Sequence, residues 1–240
     1  SILISQSRLQ FKRPLFFRDE VEVSTRANAF RRVSYQRGYD FHLADGSPVA
    51  SGDSEWVLVD AETEKAVEIP DEMVAALAGE GAEPSKKKFS PIAPLPAAPP
   101  KVFTFNKEII WRDVTAARHM DNAVFLEYFT EAGMRVSEHY GWTTDKAIDD
   151  GMGWFARTME IAYHQPLHLS DQVEISSWIS EIKSSSVIRN FRMLKAGTDE
   201  LVCHCRMRLI LVDLHTGRPM RVPMEIRDDF DENILLDEGK

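Results

Sequence analysis

Apolar and polar residues alternate along much of the chain with a period of two, the spacing that sends successive side chains to opposite faces of a strand. Val173, Ile175 and Ser177 alternate with Glu174 and Ser176. Further on, Ile188, Asn190, Arg192 and Leu194 alternate with Val187, Arg189, Phe191 and Met193. The run from Leu201 to Val212 is long and rich in β-favouring residues, and FTFNKEIIW, from Phe103, is another strand candidate. Asp45-Gly46 and Gly197-Thr198-Asp199 are turn signals between strands. Long strands joined by short turns predict antiparallel meander pairing. One stretch has a helical period instead. Val124, Phe125, Tyr128, Phe129, Ala132 and Val136 predict a helix over about 122–140, with Asp121 or Asn122 placed to cap its start and Gly141 just past its end. Its apolar stripe is wide, so the helix should be buried against a sheet. DEMVAALAGE, from Asp71, predicts a shorter helix.

The strand pattern occurs twice. RPLFFRDEVEVST, residues 13–25, aligns with QPLHLSDQVEISS, residues 165–177, and WVLVDAETEKAVEIP, residues 56–70, aligns with LILVDLHTGRPMRVP, residues 209–223. The offset is 152 at the pair Pro14 and Pro166 and 153 at the pair Asp60 and Asp213, so one residue shifts in the turn between. Ordered matches at a nearly constant offset mark an internal repeat, which decides the fold class. Residues 71–101 differ in composition: they hold Ala-Gly-Glu-Gly-Ala, three lysines and SPIAPLPAAPPK. Such a Pro-rich stretch favours an extended spacer. The expected organisation is a first half over 1–70, a linker over 71–101, a second half over 102–230 and an acidic tail over 231–240. Only the second copy carries a leading strand and helix, within 102–153; the first starts at what should be its second strand.

Composition narrows the function. The chain has 240 residues, 43% of them hydrophobic and 28% charged, as in globular proteins. A net charge of −9 argues against a nucleic-acid partner, and the one basic run, Lys86-Lys87-Lys88, reads as a solvated part of the linker. No apolar run approaches membrane-spanning length and no signal peptide is visible. Cys203 and Cys205 share one face of a strand, too close for a disulfide with each other and too few for a zinc site. They read as small buried hydrophobes, and free thiols suggest a reducing, cytoplasmic compartment. The chain begins at Ser1 without Met, so an upstream piece is one expectation. A processed Ser1 nucleophile is another, for which no partner base can be named.

The chemistry concentrates in WRDVTAARHMDNAVFLEYFTEA, residues 111–132, which leads from a strand into the predicted helix. A helix N-terminus offers unpaired N–H groups and a partial positive potential, able to polarise a carbonyl and hold an oxyanion. A nearby carboxylate can act as base or nucleophile, and a histidine can bind or relay a proton. Asp113, His119, Asn122, Glu127 and Glu131 lie on or beside this segment. Each also has a structural reading: Asp113 capping a turn, His119 satisfied within a turn, Asn122 capping the helix, Glu127 and Glu131 forming a solvated face. His164 and His168, four apart on or near the following strand, would share a face, with no third metal ligand evident.

Trp111-x-Asp113-x-Thr115, then His119-x-Asp121-Asn122, then Phe125, Tyr128, Phe129 and Glu131-Ala132 resemble the hot-dog thioesterases of the 4-hydroxybenzoyl-CoA type and the plant-type acyl-ACP thioesterases. EIAYHQPLHLSDQVEIS and LVDLHTGRPMRVP resemble later strands of that family, and the likeness covers 102–230 and, in the first half, about 8–70. The resemblance implies an α+β double hot-dog, an antiparallel sheet wrapped around a long central helix, with the first half lacking its leading strand and helix. It also implies a thioester hydrolase acting on acyl-CoA or acyl-ACP, with no cofactor and no metal. The site would be Asp113, Thr115, His119, Asn122, Glu127 and Glu131, with Arg157, His164 and His168 binding substrate. One departure matters: the family's usual catalytic Asp, four residues before the His, is here Thr115, and the position two before the His is Ala117. The rival reading is therefore a non-hydrolytic acyl-thioester binding or assembly protein. A hot-dog dehydratase, which needs a His in one half and an Asp or Glu in the other, ranks below both. Partners are the acyl carrier, no nucleic acid and no membrane span, with a homodimer allowed.

Overall fold

The computed structural model describes residues 1–78 and 90–235. The lysine run 86–88, the middle of the expected linker and the end of the expected acidic tail lie outside them. The chain divides into two compact units: residues 1–93 with 158–162, and residues 94–157 with 163–240.

The first unit is an antiparallel sheet. Its strands are β1 (Ile2–Phe11), β2 (Val21–Asn28), β3 (Ser34–Leu43) and β4 (Pro48–Leu58), in the order β2-β3-β4-β1. Residues 158–162 of β6 (Met152–Tyr163) extend it by pairing with β1, from Gln6↔Ala162 to Gln10↔Thr158. Residues 1–70 form these strands and their turns, without a helix. The short α1 (Asp71–Ala78) buries none of its residues. The Pro-rich stretch is held down where Ile92, itself buried, donates its backbone N–H to Gln6 Oε1 at 3.0 Å.

In the second unit the strands β5 (Phe103–Glu108), β7 (Gln172–Ile182), β8 (Ser186–Lys195) and β9 (Leu201–Asp213) pair antiparallel in the order β9-β8-β7-β5. Its long helix, α2 (Asn122–His139), ends within a residue of the range its apolar period predicts, and Asp121 caps it by accepting from the Ala123 amide at 2.9 Å. Phe125, Tyr128, Phe129, Ala132 and Val136 are its buried face. Phe129 packs against Phe191 of β8, ring centroids 5.3 Å apart, so the inward residues of β8 meet the apolar stripe of the helix. A second apolar cluster joins Met152, Ile179, Val187, Leu211 and Val222 to Ile226 and Phe230, around the short helix Met224–Asp229. Cys203 and Cys205 are free and buried.

The internal repeat is visible in the hydrogen bonds of each unit taken alone. In the first, Asp60 Oδ1 accepts from the amides of Glu62 and Thr63; in the second, Asp213 Oδ1 accepts from those of His215 and Thr216. The Phe16 amide donates to Asp19 Oδ2 as the His168 amide donates to Asp171 Oδ2. Arg18 and Ser170, at equivalent places, both have a positive φ, of 74° and 71°.

The expected acidic tail begins differently. Asn233 is fully buried and donates from Nδ2 to the Ser177 carbonyl at 2.7 Å, while the Leu235 amide donates to the Ile179 carbonyl at 2.9 Å. β5 pairs with β7 only as far as Phe103↔Ser177, so residues 233–235 take up the edge of β7 beyond it. An edge left with unpaired backbone groups is the physical reason for this docking.

Candidate active site

The loop from Ile109 to Asp121 positions every group at the entrance of α2. It opens with a single 3-10 turn, Trp111–Asp113. Asp113 is 1% exposed and is the only buried Asp or Glu among the described residues. Its Oδ2 accepts from the Ile110 amide at 2.9 Å and from the Tyr128 hydroxyl at 2.5 Å, while its backbone carbonyl accepts from the Asp121 amide at 2.8 Å. One residue therefore ties together the start of the loop, its end and the second turn of α2. Tyr128 answers to this: burial first, then the hydrogen bond to Asp113, push its phenol well above the usual tyrosine range.

Between Asp113 and Asp121 the loop doubles back. Val114 bridges Met120, the Thr115 amide donates to the His119 carbonyl at 2.9 Å, and Arg118 takes a positive φ of 66° at the tip. The Thr115 hydroxyl donates to the His119 carbonyl at 3.3 Å and accepts from the Ala117 amide at 3.2 Å. Its proton and one of its lone pairs are engaged in the turn, as those of Ser and Thr commonly are in loops. The Met120 amide donates to the Leu167 carbonyl at 2.7 Å, which fixes the loop to the segment after β6. That contact brings the His119 and His168 rings together, centroids 5.2 Å apart, and His168 Nδ1 lies 3.2 Å from the Arg118 carbonyl.

The remaining candidates are dispersed. Asn122 hydrogen-bonds the Tyr163 hydroxyl, whose phenol is driven far up by burial. Glu127 is exposed on α2. Glu131 forms a short ion pair with Lys107 and accepts from Arg135 at 2.7 Å; the Lys107 contact is the larger cause that holds its carboxyl below the usual glutamate range. His164 and His168 do not share a strand face. β6 ends at Tyr163, so both lie in the loop that follows it, and the loop sends them to different partners. His164 Nε2 meets Nδ1 of the buried His204 at 2.9 Å, and burial holds His164 below the usual histidine range. Arg157 lies half-buried on β6.

A cavity of about 500 Å³ opens beside the second half of α2. Phe129, Met152, Trp154, Phe191, Leu211 and Phe230 are among its walls, and none of the candidate residues named above lines it. At 1.5 Å per residue, Phe129 stands ~10 Å along the helix from Asn122. Reading the sequence missed Tyr128 as the partner of Asp113, because a Tyr on an apolar stripe looks like core. It missed His204 for the same reason, and it passed over Arg189, which lines the cavity, although a lone arginine among the inward positions Val187, Phe191 and Met193 was a visible signal.

This combination, a sheet with a long buried helix whose N-terminus is fed by a His-bearing loop, is that of a thioesterase-type hot-dog protein. Residues 109–231 match the thioesterase-like superfamily, and residues 2–77 match the acyl-ACP thioesterase N-terminal domain. The first match spans half of the chain: this protein belongs to the thioesterase-like superfamily and is an enzyme of the thioesterase class. The acyl-CoA thioester hydrolase YbgC of Escherichia coli is 19% identical over 129 residues, 54% of this chain and 96% of that protein. Among solved structures, a Lactobacillus plantarum protein assigned as an oleoyl thioesterase aligns with a TM-score of 0.71 at 18% identity, covering 88% of this chain and 76% of that one. The 12:0-ACP thioesterase of Umbellularia californica aligns at 0.66 with 15% identity, covering 87% and 72%. These likenesses establish the fold. No helix among the described residues is long and apolar enough to cross a membrane.

Proposed function

We propose that the protein hydrolyses the thioester of an acyl-CoA or acyl-ACP at the N-terminus of α2. The observation that carries this reading is the loop 113–121, which presents His119 directly before a capped helix start. N–H groups of the first turn are suited to hold the thioester carbonyl and the oxyanion formed on attack. His119 then binds the substrate or moves a proton for the attacking water, with His168 against its ring. Asn122, beside the Tyr163 hydroxyl at the helix start, is assigned to the carbonyl position. The base is assigned to Glu127. Asp113 is buried and occupied by two hydrogen bonds, Thr115 has no carboxylate, and Glu131 is neutralised by two cations. Asp113 is a positioning residue for the loop and Thr115 a turn residue. Arg157, His164 and His168 are proposed to meet the carrier or the acyl group, and the apolar cavity is proposed to receive the acyl chain.

The occupied Thr115 hydroxyl favours one second reading, an acyl-thioester binder that does not hydrolyse. Steady-state hydrolysis of acyl-CoA and acyl-ACP panels separates the two. His119→Ala and Glu127→Gln should each lower turnover, by about 10²–10⁴-fold for the lost base, with unfolding midpoints unchanged. Thr115→Asp should not rescue Glu127→Gln, because its side chain is aimed at the turn. A wild type that binds an unhydrolysable thioester analogue yet turns over no substrate would leave the binding reading standing.

A further inference from the structure

The cavity of the second unit contains one charged side chain, Arg189 of β8. It is 6% exposed and is the only Lys or Arg buried among the described residues. An arginine carries five N–H donors in a fixed fork and stays cationic. Arg189 uses little of that capacity. Nη1 donates to Ser177 Oγ at a long 3.4 Å, the guanidinium lies 5.6 Å from the centre of the Phe230 ring, and it forms no salt bridge among the described residues. Burial lowers its pKa to about 10, so it remains charged near neutral pH. A buried cation without an anion is strongly unfavourable, and natural sites pair such groups. One helix end offsets part of the charge: the ring of Tyr140, the C-cap of α2, lies tilted against that of Phe230, centroids 4.8 Å apart, so the negative end of that dipole is near. A partial charge spread over carbonyls does not fill a bidentate fork, and the rest of the wall, mostly apolar with the neutral Thr130, Ser137, Thr143 and Thr144, holds no anion.

We propose that this cavity binds an aliphatic chain ended by a carboxylate, the chain against the apolar walls and the carboxylate on the Arg189 guanidinium. The geometry matches the chemistry: two parallel N–H···O bonds from an arginine to a carboxylate are the strong, directional form of this pair. The carboxylate has two sources, the far end of a dicarboxylic acyl group carried as its thioester, or the free fatty acid that thioester hydrolysis releases. The binding site itself does not depend on the hydrolytic reading above.

Titration calorimetry on the full chain near neutral pH tests it, with quenching of Trp142 and Trp154, both in the cavity wall, as a second readout. The probes are decanoic acid, decanedioic acid and methyl decanoate. The acids should bind, and the methyl ester should bind about tenfold or more weakly, since it keeps the chain and loses the charge-assisted bonds. Arg189→Met should equalise acid and ester while leaving ester binding in place, and Arg189→Lys should keep a reduced preference for the acid. Equal wild-type affinity for acid and ester would overturn the proposal whether or not the variants fold. So would a folded Arg189→Met that still prefers the acid. Thioether analogues of decanoyl-CoA and of its ω-carboxylated form then separate the sources. Tighter binding of the carboxylated analogue assigns the far end of the acyl group, and equal binding of the two assigns the released acid. Because no probe is hydrolysed, loss of this preference and loss of thioesterase activity are separate results.

Discussion

Asp113→Asn is the substitution that separates positioning from catalysis at the entrance of α2. The amide keeps the size of the carboxyl group and an oxygen at the Oδ2 place, where Asp113 accepts from the Ile110 amide and the Tyr128 hydroxyl. Both bonds survive in neutral form. A bond to a charged group is worth ~1.5–3 kcal/mol and a neutral one ~0.5–1.5 kcal/mol, so the two together lose ~2 kcal/mol. Burying an amide costs less than burying a carboxylate, which returns part of this. The expected net loss is ~1–2 kcal/mol, a fall in melting temperature of roughly 2–8 °C for a protein of this size. Asp113→Ala removes the oxygen that accepts both bonds, leaves the Ile110 amide without its side-chain partner and leaves the Tyr128 hydroxyl only the Glu108 carbonyl at 3.3 Å, so it should cost distinctly more, ~3 kcal/mol or above. Turnover of the folded Asp113→Asn protein should stay within a few-fold of wild type. Thermal unfolding and hydrolysis measured on the same sample are the assay. A loss near the ~10²-fold or more expected of a removed general base, with the melting temperature nearly unmoved, would make Asp113 catalytic and refute the positioning role.

Other outcomes follow from the same geometry. Glu131 is depressed chiefly by Lys107, so its stabilisation is present above the ordinary glutamate pKa and is lost as pH falls through the lower native value; Glu131→Gln should flatten the acid limb of a stability–pH curve and leave neutral-pH turnover unchanged. His164 is depressed by burial, so the unfolded chain takes up its proton first and stability should fall as pH drops below about 6.5; His164→Gln should weaken that dependence in urea unfolding followed from pH 7.5 to 5.5. Phe129 is fully buried between Phe191 and the cavity, and Phe129→Ala should cost ~3–5 kcal/mol, toward the upper end because a wall that already borders a void collapses poorly. A loss under ~2 kcal/mol in denaturant unfolding would mean the site repacks.

What could be read from the chain alone depended on whether the controlling interaction was local and periodic. The α2 range followed from six apolar residues at helical spacing, and the cap was narrowed to Asp121 or Asn122, of which Asp121 makes the bond, since both are decided within a few residues of sequence. The repeat was legible because two copies of one turn, Asp60 to Thr63 and Asp213 to Thr216, need the same residues to make the same hydrogen bonds. The site was less legible. Asp113 and Tyr128 are fifteen residues apart, His164 and His204 forty, and nothing in either local pattern announces the partner. The two histidines expected to share a face were separated by the end of β6, one residue before His164, because a period-two argument fails where the strand stops. Asn233 was read as part of an acidic tail because its neighbours are charged, whereas the free edge of β7 selects it for one amide hydrogen bond. The carboxylate that stands in the motif holds the loop through Tyr128, which is why the proposal gives the chemistry to His119 and Glu127 and not to Asp113.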